Sequence, residues 1–513
     1  MPRPVAVIDI GTSSIRMAIA EISSTGQVRL LETLTQGVSL GKDTFTRGLI
    51  EKSTIEGCAS VLRSYRRRLA EYQIHSNDQI RVIATSAVRE ASNRLAFLDR
   101  IYIATGFDVE PLDEAEVNRI TYLGIQPFLQ SEPALAQSRS IVAEIGGGST
   151  ELLQVQDGDI ISSHSYRLGS LRMLESLQSF RTSARQLRSI MEKQIDRTVD
   201  QITHQVAPDG PVEMLAIGGD VRFAASQLVN DWGNLPLARL RTDELEKFTR
   251  AMLQLSDDEL VRRYHLTFPD AETLGPALLA YVHLARRFGR EEIFVTHTNL
   301  RDGLLQEMAN RGSWTEEFRQ QVIRSAMALG RRFEFDEPHA TRVAENTLKL
   351  FEDLRDEHML EDRFQLILYL SAILHELGLF INASSHHKHS MYIIINSELF
   401  GLSRRDRMLV GLVARYHRRA SPKPVHQWYG TLDRDSRIAV TKMAAMLRLA
   451  DALDRSHSQR ISDFKCVREG QNLVLEIPGV EDLSLEQLAL KQKGPLFEET
   501  FGLRPRLRRV RRQ

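Results

Sequence analysis

Short apolar runs, each ending in glycine, hydroxyl or acidic residues, recur through the first part of the chain; helical spacing of apolar residues fills the rest. Val5, Ala6, Val7 and Ile8 form a run suited to a buried strand. It meets Asp9, turns through Gly11, Thr12, Ser13 and Ser14, and resumes from Ile15 to Ile19. Residues 141–152 repeat that grammar: an apolar run carries Glu144, three glycines follow (Gly146, Gly147, Gly148), then Ser149, Thr150 and Glu151 open a second run. Both stretches predict hairpins. Runs at 79–84, 109–112, 214–217 and 293–296 predict further strands, and 53–69 predicts a helix. Leu187, Ile190, Met191, Ile195, Val199 and Ile202 fall on one face of a long helix capped by Thr182 or Ser183. From about Trp314 the strands vanish, and Val343, Thr347, Leu350, Phe351, Leu354 and the run 366–374 predict an all-α domain. The expected order is a lobe over 1–128, a second lobe over 129–312 beginning with a polar connection around Pro133, a helical domain over 313–500 and a basic tail over 501–513.

The two hairpins carry the chemistry. Adjacent glycines weaken any strand or helix they enter. Their use is to let backbone N–H groups approach a ligand, as glycine loops do around phosphate oxygens. Glu144 and Glu151 bracket such a loop, and carboxylate oxygens suit a hard divalent cation. A gesture made twice suggests two related lobes facing one another across a cleft that clamps an oligophosphate and its metal. Strand 79–84 empties into Thr85, Ser86 and Ala87 at the start of a helix, where hydroxyls and N-terminal N–H groups suit an anion and Arg89 can fork onto phosphate. Asp113, Glu114 and Glu116 crowd the first turn of another helix; they serve either as caps or as the base that activates water.

Composition narrows the classes. At 513 residues several domains are expected, and 42% apolar with 26% charged residues is ordinary globular content. Net charge is zero, so nothing in bulk argues for nucleic acid. The local exception is the arginine-rich stretch 504–512, a solvated terminus or an anion tether. Cys58 and Cys466 lack metal spacing, and no uninterrupted apolar run reaches spanning length, so a reducing cytoplasm and no membrane are expected. In the helical part, His339, His375–Glu376, a histidine-rich loop (His386, His387, His389), His417, Asp451 and Asp454 offer metal-ligand types from several helices, against a bland reading as satisfied histidines.

Over nearly its full length the chain resembles the exopolyphosphatase / guanosine pentaphosphate phosphohydrolase family. The resemblance is carried by residues 9–14, 84–89, 146–151, Gly218–Gly219, Arg301–Asp302–Gly303 and, in the helical part, His339, His375–Glu376, residues 386–390 and 416–419. It implies an α/β fold of two duplicated ribonuclease-H-like lobes, the sugar kinase–actin–Hsp70 type (actin-like ATPase fold), followed by an HD-like domain. It implies hydrolysis of terminal phosphoanhydride bonds of inorganic polyphosphate first and guanosine pentaphosphate second, with Mg²⁺ or another divalent cation and often a homodimer. Gly11, Thr12, Ser13, Ser86, Arg89, Gly146, Gly147, Gly148, Ser149 and Thr150 match phosphate contacts, and Asp9, Glu144 and Glu151 match the acidic set around the metal. His339, His375, Glu376 and Asp451 match the ligand pattern of metal-dependent HD phosphohydrolases, which implies a second metal site and an alternative hydrolytic activity there.

Three departures qualify that expectation. The family helix opens Glu–Glu–Ala–Arg with the second glutamate as base, whereas this chain has Val117 there, between Glu116 and Asn118. Glu116 points about 100° away around the helix, and Glu114 lies one turn back, so these two are the expected substitutes. Ser13 stands where asparagine is usual, and Glu144 where aspartate is usual. Losing a general base costs about 10²–10⁴-fold, so the alternative is a weakened enzyme that binds polyphosphate or an alarmone.

Overall fold

The computed structural model describes residues 2–178, 184–206, 210–310 and 315–510. The expected helix cap at Thr182 or Ser183 and the transition at Trp314 lie outside these residues. The chain divides into two compact units, Met1–Thr315 and Glu316–Gln513.

In the first unit β1 (Arg3–Ile10), β2 (Ser14–Ile22), β3 (Val28–Gly37), β4 (Ile80–Ala84) and β5 (Val109–Pro111) form a sheet of order β3-β2-β1-β4-β5. The first three pair antiparallel, and β4 and β5 join parallel. A second sheet holds β6 (Arg139–Ile145), β7 (Thr150–Gln156), β8 (Asp159–Tyr166), β9 (Glu213–Ile217), β10 (Leu237–Arg241) and β11 (Glu292–Thr296), in the order β10-β11-β9-β6-β7-β8. β6-β7-β8 reproduce the antiparallel meander, and β9 and β11 join parallel as β4 and β5 do. The duplication read from two hairpins therefore extends across both sheets; β10 is an addition to the second. β3 escaped the hydrophobic pattern because it is a largely exposed edge strand without clean alternation.

The lobes are not contiguous in sequence as expected. Helix Leu300–Ala309, placed in the second lobe by the 129–312 boundary, lays Leu300, Leu304 and Leu305 against Val5, Val7, Ile83 and Ile120 of the first. Glu307 of that helix pairs with Arg119 at 2.6 Å and with Arg81. The returning helix ties the two sheets together.

The second unit is built on helices Glu316–Arg332, Glu337–Asp353, Arg363–Leu374, His386–Asn396, Arg404–Arg415 and Arg434–Leu453. Three expectations are corrected here. The unit is not all-α: β12 (Lys465–Glu469), β13 (Asn472–Pro478) and β14 (Arg504–Val510) form a sheet of order β12-β13-β14. The basic stretch is accordingly not a frayed tail over its described residues. It runs parallel to β13, and Arg508 forks onto Glu469 at 2.6 and 2.7 Å, across the sheet. His386, His387 and His389 lie in the first turn of a helix rather than in a loop; that helix buries Met391, Ile393 and Ile394 behind its polar start. Arg363–Phe380 is long and apolar enough to cross a membrane, but 67% of it is buried within the protein, as expected of a core helix.

Candidate active site

The two hairpins close with the same hydrogen bond: Gly11 N–H donates to Ser14 O at 3.0 Å, and Gly146 N–H to Ser149 O at 2.9 Å. Their registers coincide as well, with Asp9 opposite Arg16 and Glu144 opposite Glu151. The loops touch. A Cβ on Gly147 would fall 2.2 Å from Thr12 Oγ1, and one on Gly148 2.2 Å from Ser86 Oγ, so only glycine permits the approach. Behind them the Tyr281 hydroxyl donates to Ile217 O and accepts from Ile145 N–H at 2.9 Å, fixing the ends of β6 and β9 side by side.

Between the loops lies a cavity of about 400 Å³, within the range of small-ligand sites. Asp9, Gly11, Thr12, Ser13, Ser86, Arg89, Glu144, the three glycines, Ser149 and Glu151 all line it. Thr150 does not. Its side chain is fully buried and its hydroxyl donates to Leu168 O, because β7 alternation turns Thr150 inward where it turns Glu151 to the cavity.

Glu116 and Glu114 are also absent from the lining. Glu116 closes a capping box, accepting from Asp113 N–H at 3.1 Å while its own N–H donates to Asp113 Oδ1 at 2.9 Å. Glu114 is exposed and stands 3.6 Å from Arg89. The residue this helix turns into the cavity is Val117. The capping reading of the acidic turn therefore holds, and the expected substitute bases point elsewhere.

Three further arginines line the cavity without a role assigned from the sequence: Arg16, Arg222 and Arg301. Aligning the hairpins residue by residue, 9–16 on 144–151, would have found Arg16, since it occupies the place of Glu151. Arg222 and Arg301 carried no comparable periodic signal; helices following strand-end glycines and Asn299 deliver them. Arg301 lies 3.6 Å from Asp9 Oδ2, and Arg222 donates to Thr298 O at 2.8 Å. Asp220 and Asp270 were missed as well.

Burial dominates the electrostatics. It raises the Asp9 carboxyl, opposed by Arg301 and Arg16, and raises Glu144, opposed by Arg222. It pushes Glu151 up to about 7 against hydrogen bonds from Ser149 at 2.8 Å and Ser165 at 3.0 Å, both received by Oε1. Burial, reinforced by Asp270, lifts Asp220 to about 7. Asp9 Oδ1 and Glu151 Oε2 are buried without a hydrogen-bond partner, which costs ~1–3 kcal/mol apiece until something completes them. Raised carboxylates and orphaned oxygens beside glycine loops and guanidiniums fit a cation together with phosphate oxygens.

Of the second set, the structure brings His339, His375 and Glu376 together in the helical unit. Asp451 stands close enough to act electrostatically on His339 and His375, and its carboxylate is also ion-paired with Lys493.

A model of the Ppx/GppA phosphatase family matches residues 7–312, and one of Ppx/GppA phosphatase domain III matches residues 322–493. The chain is 24% identical over 500 residues to the guanosine-5'-triphosphate,3'-diphosphate pyrophosphatase of Photobacterium profundum, covering 95% of each chain. It is 24% identical over 484 residues to the protein of that name from Vibrio parahaemolyticus, covering 92% of this chain and 91% of the relative. Among solved structures, an exopolyphosphatase from Cytophaga hutchinsonii superposes with a TM-score of 0.54 at 21% identity, over 60% of this chain and 98% of that one. The Ppx/GppA family member of Aquifex aeolicus does so with a TM-score of 0.50 at 21% identity, over 61% and 100%. With more than half of its length matched by the first family model, the chain belongs to the Ppx/GppA phosphatases, a family of phosphoanhydride hydrolases.

Proposed function

We propose that this protein hydrolyses terminal phosphoanhydride bonds in the cavity between the two hairpins. The observation that carries the reading is the meeting of two duplicated glycine–hydroxyl loops over buried carboxylates and four guanidiniums. Gly146–Gly148, Ser149, Thr12, Ser13, Ser86 and Arg89 would hold the terminal phosphates, with Arg16 and Arg301 countering the charge that spreads over the transferred group. Asp9 and Glu144 would hold a divalent cation, Mg²⁺ above all, which neutralises phosphate charge when bound.

The base is drawn from the cavity rather than from the capped helix turn. Glu151 is the best placed carboxylate: two hydroxyls fix Oε1, Oε2 is unpartnered, and its acidity near 7 matches a base working at neutral pH. Water attacks the terminal phosphorus and gives its proton to Glu151 Oε2. The bridging P–O bond breaks, and its electron pair leaves on the shortened phosphate chain.

For the substrate, Arg508 of the basic stretch is already paired with Glu469 across the sheet. Phe223, Leu266 and Leu274 give one cavity wall an apolar surface suited to a nucleoside, so guanosine pentaphosphate stands level with inorganic polyphosphate. Orthophosphate release from each with Mg²⁺ tests the reading; tight binding of both without turnover overturns it in favour of a binding protein. Val117→Glu, which returns a carboxylate to the cavity, should then restore turnover. We read the helical unit as HD-like on His339, the His375–Glu376 pair and Asp451.

A further inference from the structure

Three histidines of the helical unit share one device. His375 Nδ1 donates to Ala372 O at 2.7 Å, His386 Nδ1 to Ala383 O at 3.1 Å and His417 Nδ1 to Ala414 O at 2.6 Å, in each case the carbonyl three residues back. A carbonyl only accepts, so in each neutral ring the proton sits on Nδ1 and Nε2 keeps its lone pair. His339 is held the same way by the Asp454 carboxylate, Nδ1 to Oδ2 at 2.8 Å. An outer hydrogen bond of this kind fixes the tautomer and ring orientation of metal-ligating histidines.

The lone pairs then face one another. His386 Nε2 and His417 Nε2 are 3.2 Å apart with no proton available to either contact atom, and His417 is buried. Nε2 of His339, Nε2 of His375 and Oε2 of Glu376 are buried without hydrogen-bond partners. Ligand atoms of Glu376, His386 and His417 all lie within 4.8 Å of one another, and those of His339, His375 and Glu376 form a second such set on the same carboxylate. Buried acceptors crowded in this way repel unless a positive charge stands among them. Two nitrogens each ~2.0–2.1 Å from an ion come 3.2 Å apart at an angle of about 100°, close to tetrahedral.

We propose that the helical unit holds a transition-metal ion of the zinc class between His386 Nε2, His417 Nε2 and Glu376. His375 and His339 form the second set that shares that carboxylate. The donor set is rich in imidazole nitrogen, which selects zinc-like ions over magnesium, whereas the hairpin cavity offers carboxylate oxygens. Lys493 already neutralises Asp451, so this donor set is complete without that aspartate.

The test strips the full-length chain with EDTA, adds Zn²⁺, desalts it and measures bound metal by mass spectrometry. About one equivalent should remain and should raise the Tm. It should be lost in the His386→Ala/His417→Ala double variant and kept in Glu144→Gln, which separates this site from the phosphatase cavity. In case the double variant fails to fold, Co²⁺ is added to the wild-type chain, where visible absorption bands of a nitrogen-ligated, near-tetrahedral ion should appear and vanish on adding Zn²⁺. A wild-type chain that retains no zinc and shows no cobalt bands overturns the proposal and leaves a proton shared between the two imidazoles. Zinc retained unchanged by a folded double variant overturns it equally.

Discussion

In the first hairpin the chain passes from Asp9 to Arg16 over residues 11–14; in the second it passes from Glu144 to Glu151 over residues 146–149, with the same closing hydrogen bond. The backbones match, and the far ends carry opposite charge. Duplication supplied two equivalent positions flanking one cavity, and the function proposed above gives them complementary work: a cation toward the phosphate charge on one side, a carboxylate for water on the other. Their loops differ in the same spirit. The first keeps side chains (Thr12, Ser13), and the second gives them up (Gly147, Gly148) because Thr12 and Ser86 already fill that space.

The largest effect should come from removing the carboxylate that has no counterpart in the first hairpin. Glu151→Gln should lower turnover about 10²–10⁴-fold with substrate binding retained. In the wild type, kcat/KM should fall roughly tenfold per pH unit on the acid side of about 7, since the base works ionised and burial raises its pKa; the variant should lack that limb. An unchanged rate and pH profile would return the base role to another group. Next, Gly147→Ala should force the loops apart and cost ~1–3 kcal/mol of stability, read by denaturant unfolding. Adding Thr12→Ala should recover part of the loss, and no recovery would mean that the two loops do not constrain each other. Third, Arg16→Gln should weaken substrate binding by about 10–100-fold, the loss of one charge-assisted contact of ~1.5–3 kcal/mol, with little change in the acid limb. An acid limb lost in Arg16→Gln would make the two far ends alike after all. The smallest effect belongs to the surface: Arg508→Ala should cost less than ~1 kcal/mol and leave phosphate release unchanged, because its ion pairs are solvent-exposed.

Much of this frame is legible in the sequence. Strand and glycine alternate with little ambiguity around 5–19 and 141–152, and the helices Lys52–Glu71 and Ala184–Val206 followed apolar spacing. Val117 also stood out, because the resembled family carries a glutamate at that place in the helix. What failed did so for physical reasons. Glu116 and Glu114 are chemically able bases, but the capping box spends one on a backbone amide and the helix turns the other to solvent. Thr150 has the right hydroxyl on the wrong face of a strand. The stretch 504–510 looked like a tail because strand pairing with residues 472–478 leaves no mark on local composition.

By itself the sequence determined the two hairpins, their acids and glycines, and the family whose pattern they follow, since these depend on neighbours within a few bonds. Only the tertiary structure decided which acids face the cavity, that helix Leu300–Ala309 returns to the first sheet, and that Lys493 claims Asp451 while His386 meets His417. Those outcomes turn on the direction of single side chains brought together from distant segments. A direction is set by packing and hydrogen-bond competition over the whole fold, and the order of residues along the chain does not encode it locally.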